Sequence, residues 1–260
     1  MQLDDAFANA AYIPQADSYP PRWSAQAARY REGLGDRAEL GVSYGDSPRQ
    51  VFDHFRCEGP AQGTLFFVHG GYWLRFDCSF WSHLAAGAVA RGWDVAMVQY
   101  DLCPQVSIAG ITRQIARAVT TVAARRPGPL ALTGHSAGGH LVARMLAPDV
   151  LGPDVLARVI RVAPISPVTD LRPLLQTSMN AQFQMSLQDA AAESPVLQPA
   201  PEAAVKIWVG ALERPVFLEQ ATALAQAWQV PQVVMPARHH FDVIDALSDP
   251  DSDMVQFLTS

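Results

Sequence analysis

Cysteine is scarce in this chain, charge is thin, and no apolar run is long. Three cysteines, Cys57, Cys78 and Cys103, are scattered through 260 residues. An odd, irregular set does not make a disulfide framework, so reduced thiols in a cytoplasmic protein are expected. Charged residues are only 17% of the chain and the formal net charge is −6. The longest basic run is Arg125-Arg126, too small a footprint for a nucleic-acid partner. No apolar stretch approaches the roughly 20 residues that a spanning helix needs, so no membrane association is expected. The start, Met1-Gln2-Leu3-Asp4-Asp5, lacks the basic opening and apolar centre of a signal peptide. Repeats and low-complexity tracts are absent. No His-x-x-x-His or His-Glu-x-x-His spacing occurs, and the adjacent His239-His240 would not readily chelate one ion together. Neither a metal nor another cofactor is expected. A chain of this length buries about three quarters of its unfolded surface and fits one α/β domain.

Against these absences stands Gly134-His135-Ser136-Ala137-Gly138, a G-x-S-x-G pentapeptide. It follows the apolar run Leu130-Ala131-Leu132-Thr133 and opens into the helical pattern Leu141-Val142-Ala143-Arg144-Met145-Leu146. Strand, sharp turn and helix are the setting of a nucleophile elbow, in which glycines relieve crowding and the serine hydroxyl projects above a sheet. His69-Gly70-Gly71 lies upstream and His239-His240 lies near the C-terminus. That is the chain order of oxyanion-hole loop, nucleophile and base in an α/β-hydrolase.

The surrounding pattern supports that fold. Residues 51–56, 64–68, 94–98, 129–133, 159–163, 205–209 and 232–235 read as strands. Residues 79–91, 107–125, 215–228 and 241–248 read as helices. The alternation predicts a mostly parallel, doubly wound sheet with helices on both faces. Between 166 and 200 the rhythm fails at Pro167, Pro173, Pro195 and Pro199. A helical lid excursion over the sheet, within a single domain spanning 1–260, is expected there.

A serine hydroxyl is a poor nucleophile near neutral pH and needs a base in hydrogen-bond reach, itself oriented by a carboxylate. Ser136 is the candidate nucleophile; a capping serine at a helix start is its ordinary alternative. The base must come late, and only His239 and His240 follow the acid candidates. His240 is preferred, with His239 flanking it. Glu213 is the only carboxylate in the turn after 205–209, and Asp170, after 159–163, is the second candidate acid. A first-turn carboxylate favoured by the helix dipole is the plain reading of Glu213. Backbone N–H groups of Gly70, Gly71 or Tyr72, together with Ala137, are the candidate oxyanion donors, each worth about 3–4 kcal/mol in a working site. His69 is expected to shape the glycine turn through backbone hydrogen bonds, and His54, His83 and His140 read as ordinary histidines.

Longer segments carry a resemblance. They are Ser43-Tyr44-Gly45, His69-Gly70-Gly71-Tyr72-Trp73, Gly134 through Leu141, Ile165-Ser166-Pro167-Val168-Thr169-Asp170-Leu171-Arg172-Pro173-Leu174, Glu193-Ser194-Pro195, Val209-Gly210, Pro215-Val216-Phe217 and His240-Phe241-Asp242-Val243-Ile244. The chain resembles the α/β-hydrolase-type kynurenine formamidases (arylformamidases), near the hormone-sensitive-lipase-like esterases. By position, the resemblance implies a triad of Ser136, Glu213 and His240, although that family commonly has aspartate where Glu213 stands. It also implies hydrolysis of an N-formyl anilide to formate and an aryl amine, in tryptophan breakdown. The expected partner is thus a small aromatic formamide or ester. Tyr72, Trp73 and Trp81, with Phe183 and Met185 from the excursion, are candidates for an aromatic wall, or equally for core packing. A short-chain carboxylesterase would share every catalytic residue. A non-catalytic receptor on this fold would usually have lost the nucleophile or base, and this sequence keeps both.

Overall fold

Every residue of Thr64–Val68 is buried, as in a strand covered on both faces. Its side chains alternate between two cores: Phe66 and Val68 enter one, Leu65 and Phe67 the other. This strand is central to a computed structural model that describes residues 3–260; Met1 and Gln2, part of the acidic start, lie outside the described residues. The strands are β1 (Ala38–Ser43), β2 (Val51–Phe55), β3 (Thr64–Val68), β4 (Asp94–Val98), β5 (Leu130–His135), β6 (Val159–Ile165), β7 (Ala204–Val205), β8 (Ile207–Gly210) and β9 (Gln232–Met235). They form one sheet in the order β1-β2-β4-β3-β5-β6-β8-β9, with the short β7 beside β6. From β4 to β9 all pairings are parallel, whereas β2 runs antiparallel to β1 and β4. The sheet is the mostly parallel, doubly wound one expected of an α/β-hydrolase.

Helices Ile108–Arg125, Ala137–Arg144 and Pro215–Trp228 pack on the Phe66 side. Tyr19–Leu34, Ala86–Ala90 and Asp253–Leu258 pack on the other. The chain steps from β3 to β4 on one side and then returns to β5 on the other. The order therefore reverses at β3, and a crevice opens beyond the C-terminal ends of β3 and β5, where ligands bind in such sheets.

Several elements depart from the sequence expectation. β1 was not foreseen, because it is an exposed edge strand whose pairing shifts by a bulge between Glu39 and Val42, at Gly41 with φ +65°. The Tyr19–Leu34 helix was also unforeseen. It buries Tyr19, Trp23, Ala27 and Leu34 at helical spacing and ends at Gly35, whose N–H bonds Arg31 and Glu32 carbonyls. The predicted helix 79–91 is broken into 3₁₀ turns Cys78–Phe80 and Ser82–Ala85 and a helix Ala86–Ala90. Asp77 caps the first turn at Ser79, and Trp81 leaves the helical path with φ −119° to pack 4.7 Å from Trp23. The predicted helix 241–248 is a 3₁₀ turn, Val243–Ser248.

Segment 166–200 holds only short helical pieces: Arg172–Gln176, Asn180–Phe183, Leu187–Ala192 and Pro195–Leu197. Buried polar bonds tie it down. Thr169 N–H and Oγ1 donate to Gln220, Ser194 Oγ accepts from Leu171 N–H, and the Glu193 carboxylate takes Thr112 Oγ1–H at 2.6 Å and Arg144 Nε at 3.3 Å. All three cysteines are buried and unpaired. No helix among the described residues is long and apolar enough to cross a membrane.

Candidate active site

Ser136 occupies φ 56°, ψ −114°, a conformation costing a non-glycine residue about 1–3 kcal/mol. Its surroundings enforce it. Ser136 N–H bonds Ile165 O at 2.8 Å, and its carbonyl accepts from His140 N–H at 3.0 Å. A Cβ on Gly138 would stand 1.9 Å from Val68 O, and one on Gly134 2.4 Å from Gly138 O. Only glycines let the elbow close so tightly on β3. Gly70 completes the contact, since a Cβ there would lie 3.1 Å from Ser136 Cβ. The loop after β3 thus runs directly against the serine.

His240 Nδ1 lies 2.6 Å from Glu213 Oε2. With the proton on Nδ1 donated to the carboxylate, Nε2 is left as the basic nitrogen. The Glu213 side chain is fully enclosed, at 0% exposure, and its second oxygen is also satisfied. Oε1 accepts from Gly210 N–H at 2.7 Å and from Ser166 Oγ–H at 2.5 Å. Three donors therefore hold this buried charge, as such a charge requires. Gly210 is required here because a Cβ would fall 2.4 Å from Arg238 O. The two turns are laced by Ala211 N–H to Met235 O (2.9 Å) and Leu212 N–H to Arg238 O (2.8 Å).

Two rings fix the His240 imidazole: Phe217 at 4.3 Å and His135 at 4.6 Å between centroids. Burial, reinforced by His240, holds His135 well below the usual histidine range, so the neighbour stays neutral and does not compete as a cation. His239 faces elsewhere. Its Nε2 lies 2.9 Å from Tyr19 Oη, and its Nδ1 accepts from Phe241 N–H at 3.1 Å. Asp170 is also elsewhere, clasped by Arg172 at 2.7 and 2.8 Å with 22% of its side chain exposed. Neither contacts the Glu213–His240 pair.

The loop after β3 makes a left-handed turn, with φ 108° at Gly71, 54° at Tyr72 and 56° at Trp73. Leu74 and Arg75 N–H groups both close on Gly71 O, at 3.0 and 3.1 Å. Tyr72 Oη–H donates to Phe7 O at 2.7 Å and pins the turn. Among the described residues, no acceptor faces the N–H groups of Gly70, Gly71, Tyr72 or Ala137. Behind the turn His69 stacks on Tyr100 at 4.3 Å, donates from Nδ1 to Gly70 O at 2.8 Å, and is pushed down to about 4 by burial.

Ser136, His135, His240, Gly70, Gly71 and Tyr72 line one cavity of about 430 Å³, within the range for small-molecule sites. Its wall is aromatic, from Trp23, Phe76, Trp81 and Phe241. Three expected wall residues do not reach it. Trp73 is fully buried between His140 (5.1 Å) and Phe183 (5.7 Å), and Phe183 with Met185 belongs to the core beneath the excursion. Trp73 follows Tyr72 in the left-handed turn and is buried in the same core, but only Tyr72 also lines the cavity. Tyr72 and Trp81 line the cavity as expected.

The roof holds what the sequence reading missed. Only Ser178 and Met179 of segment 166–200 line the cavity, whereas residues from Asp4 to Trp23 supply most of its cover. Asp5 pairs with Arg214 at 2.8 Å, and the Arg214 guanidinium lies 3.6 Å over Tyr12. No local motif announces such a cap. Ser166 was also missed, although it stands in the Ile165–Leu174 stretch, which drew attention to Asp170 instead. A hydroxyl at the C-terminal end of β6 is the signal that pointed to it.

Residues 65–243 match a family model described as the α/β hydrolase fold. Kynurenine formamidase of Drosophila melanogaster is 32% identical over 84% of this chain and 79% of its own length. That of Salmo salar is 27% identical, over 84% and 80%. A crystal structure from Silicibacter sp. TM1040, of a protein provisionally described as a thioesterase, is 55% identical with a TM-score of 0.99 and full coverage of both chains. Thermogutta terrifontis esterase 2 is 18% identical with a TM-score of 0.66, covering 79% of this chain and 85% of its own, a likeness of fold alone.

Proposed function

This chain belongs to the kynurenine formamidase family of α/β-hydrolases, and from that premise we propose that it hydrolyses N-formylkynurenine to kynurenine and formate through Ser136, His240 and Glu213. The observation that carries the reading is the 2.6 Å His240–Glu213 pair, with Ser136 and His240 on one aromatic-walled cavity. Ser136 Oγ attacks the formyl carbon while His240 Nε2 takes its proton. Glu213 keeps the imidazole in the tautomer that presents Nε2 and balances the imidazolium that forms. The negative oxygen of the tetrahedral intermediate is received by N–H groups of Ala137 and the Gly70–Tyr72 turn. His240 then delivers its proton to the aniline nitrogen, the C–N bond breaks, and a formyl ester remains on Ser136. Water, deprotonated by His240, releases formate and restores the serine. An anilide leaves more readily than an alkyl amine, so no metal is needed for this route.

Glutamate in place of the family's usual aspartate is accommodated by Gly210. Its missing side chain gives the longer carboxylate room, at 3.2 Å from where a Cβ would stand. A short-acyl ester or thioester would engage the same groups, and the 55% identical relative favours keeping that second reading. The deciding experiment is a comparison of kcat/KM for N-formylkynurenine, short p-nitrophenyl esters and acetyl thioesters. The formamide is expected to exceed both by at least tenfold; an ester or thioester in first place overturns the assignment.

A further inference from the structure

The aromatic cavity has charged groups in its lining. Asp4, Asp17 and Arg75 line it together with Ser136. Asp4 is engaged, accepting from Ser178 N–H at 2.6 Å and Oγ–H at 2.9 Å. Arg75 and Asp17 are different: both side chains are exposed, and neither has a hydrogen-bond or ion-pair partner among the described residues. Arg75 is the only cationic side chain among the residues lining the cavity.

These two charges are carried by different elements that line the same cavity. Arg75 rides on the left-handed turn after β3. Its N–H closes on Gly71 O, and a Cβ on Gly71 would lie 2.6 Å from Arg75 O. The backbone carrying the guanidinium is therefore locked to the same turn that runs against Ser136 at Gly70. Asp17 sits in the roof, in the 3₁₀ turn Ala16–Ser18, next to Tyr19, which reaches His239. Ser136 and the aromatic wall line that cavity too, so a substrate in it has one unpartnered charge of each sign available to its non-reacting part.

We propose that Arg75 and Asp17 form a subsite for a zwitterionic amino-acid head group, with Arg75 receiving the α-carboxylate and Asp17 the α-ammonium. The geometry required of a guanidinium is the planar, two-point grip of a carboxylate. The subsite rests on the formamide reading for the identity of its ligand, and it makes that reading specific. It selects aryl formamides carrying an amino acid over plain formanilides, by binding the half of the substrate that does not react.

The test measures kcat/KM for N-formylkynurenine, its des-amino analogue and formanilide in the wild type, Arg75→Gln, Arg75→Lys and Asp17→Asn. In Arg75→Gln the ratios of the first two substrates to formanilide are expected to fall about tenfold, the scale of one lost charge-assisted contact, through KM. Arg75→Lys restores part of the ratio. Asp17→Asn lowers the ratio of N-formylkynurenine to the des-amino analogue alone. Ratios that do not move overturn the subsite. If the wild type does not cleave N-formylkynurenine, the formamide reading fails, and the subsite is read from O-acetyltyrosine against p-cresyl acetate. A preference for the amino-acid ester that is lost in Arg75→Gln keeps the subsite, and the lack of any preference removes it.

Discussion

The floor of the cavity consists of turns at the ends of β3, β5, β8 and β9. Its critical contacts are short in sequence or run between adjacent strands: Gly134 meets Gly138, Gly210 N–H meets Glu213, and Gly138 meets Val68. The roof, from Asp4 to Trp23, holds on through partners far along the chain at Tyr72, Ser178, Arg214 and His239. Glycine sterics and buried, multiply satisfied charge fix the floor. Several roof contacts are exposed polar bonds, each worth only about 0–1 kcal/mol. Such a segment opens at lower free energy than the body on which it lies. Chemistry belongs to the floor, and access and selection to the roof.

The largest effect belongs to the floor. Ser136→Ala and His240→Ala are each expected to lower kcat by about 10⁶, the scale seen for other serine triads, with little change in melting temperature. His239→Ala, which removes the tie to Tyr19 in the roof and the acceptor for Phe241 N–H but no contact to Glu213, is expected to act mainly on KM. Steady-state kinetics on purified variants separate them, and a reversal of the two histidines would place the base one residue earlier.

Glu213→Gln comes next, with a fall in kcat of about 10⁴, because the amide keeps the shape but loses the charge that supports the imidazolium. Asp170→Asn is expected to stay near wild type. Ser166→Ala removes one of three donors to Glu213 and is expected to cost about tenfold in kcat, the equivalent of one hydrogen bond to a charge. A dead Asp170→Asn beside an active Glu213→Gln would move the acid to the end of β6.

Tyr72→Phe tests where floor and roof join. It deletes the bond to Phe7 O without altering the ring. A severalfold rise in KM and faster proteolytic cleavage within residues 4–23 are expected, with kcat changed less. Unaltered KM and unaltered cleavage would show that the cap is held independently of the turn.

The same division explains what could be read from the sequence. The elbow, the glycine turn and the central strands were legible because they depend on neighbours: a five-residue motif, a paired glycine, a run of buried β-branched and aromatic residues. Glu213 was legible as the carboxylate in the turn after a strand, but Ser166, 47 positions away, became its partner only when β6 and β8 lay side by side. Trp73 looked like cavity wall because Tyr72 beside it is, and the left-handed turn that carries both leaves no periodic trace. β1 and the Tyr19–Leu34 helix were hidden by weak patterning, the first exposed and bulged, the second polar over most of its surface. The cap was illegible for the plainest reason, since the ties that hold it to the body, at Tyr72, Ser178, Arg214 and His239, are long-range.

Near neutrality the smallest effect is on stability. His69 and His140 are both buried and pushed down to about 4 from 6.5. Below pH 6.5 the unfolded chain takes up these protons and the folded one does not, so stability falls with pH until about 4, by about 3 kcal/mol for each histidine. Asp245, raised by burial to about 6, and Asp53, also raised by burial, act in the opposite sense over part of that interval, while His83, pushed down to about 4 by burial, and His135, pushed well down, add to the decline. Melting temperatures are expected to decline steadily from pH 6.5 to 4, and a flat profile would mean that these histidines are not held neutral.

The central claim is that Ser136 forms a covalent acyl intermediate under the control of His240 and Glu213. Intact-mass and peptide mapping of the protein treated with a fluorophosphonate test it most directly. The account expects one adduct per chain, on Ser136, suppressed by N-formylkynurenine and lost in His240→Ala. Full activity after treatment with no adduct, or an adduct on another residue that accompanies inactivation, would contradict it.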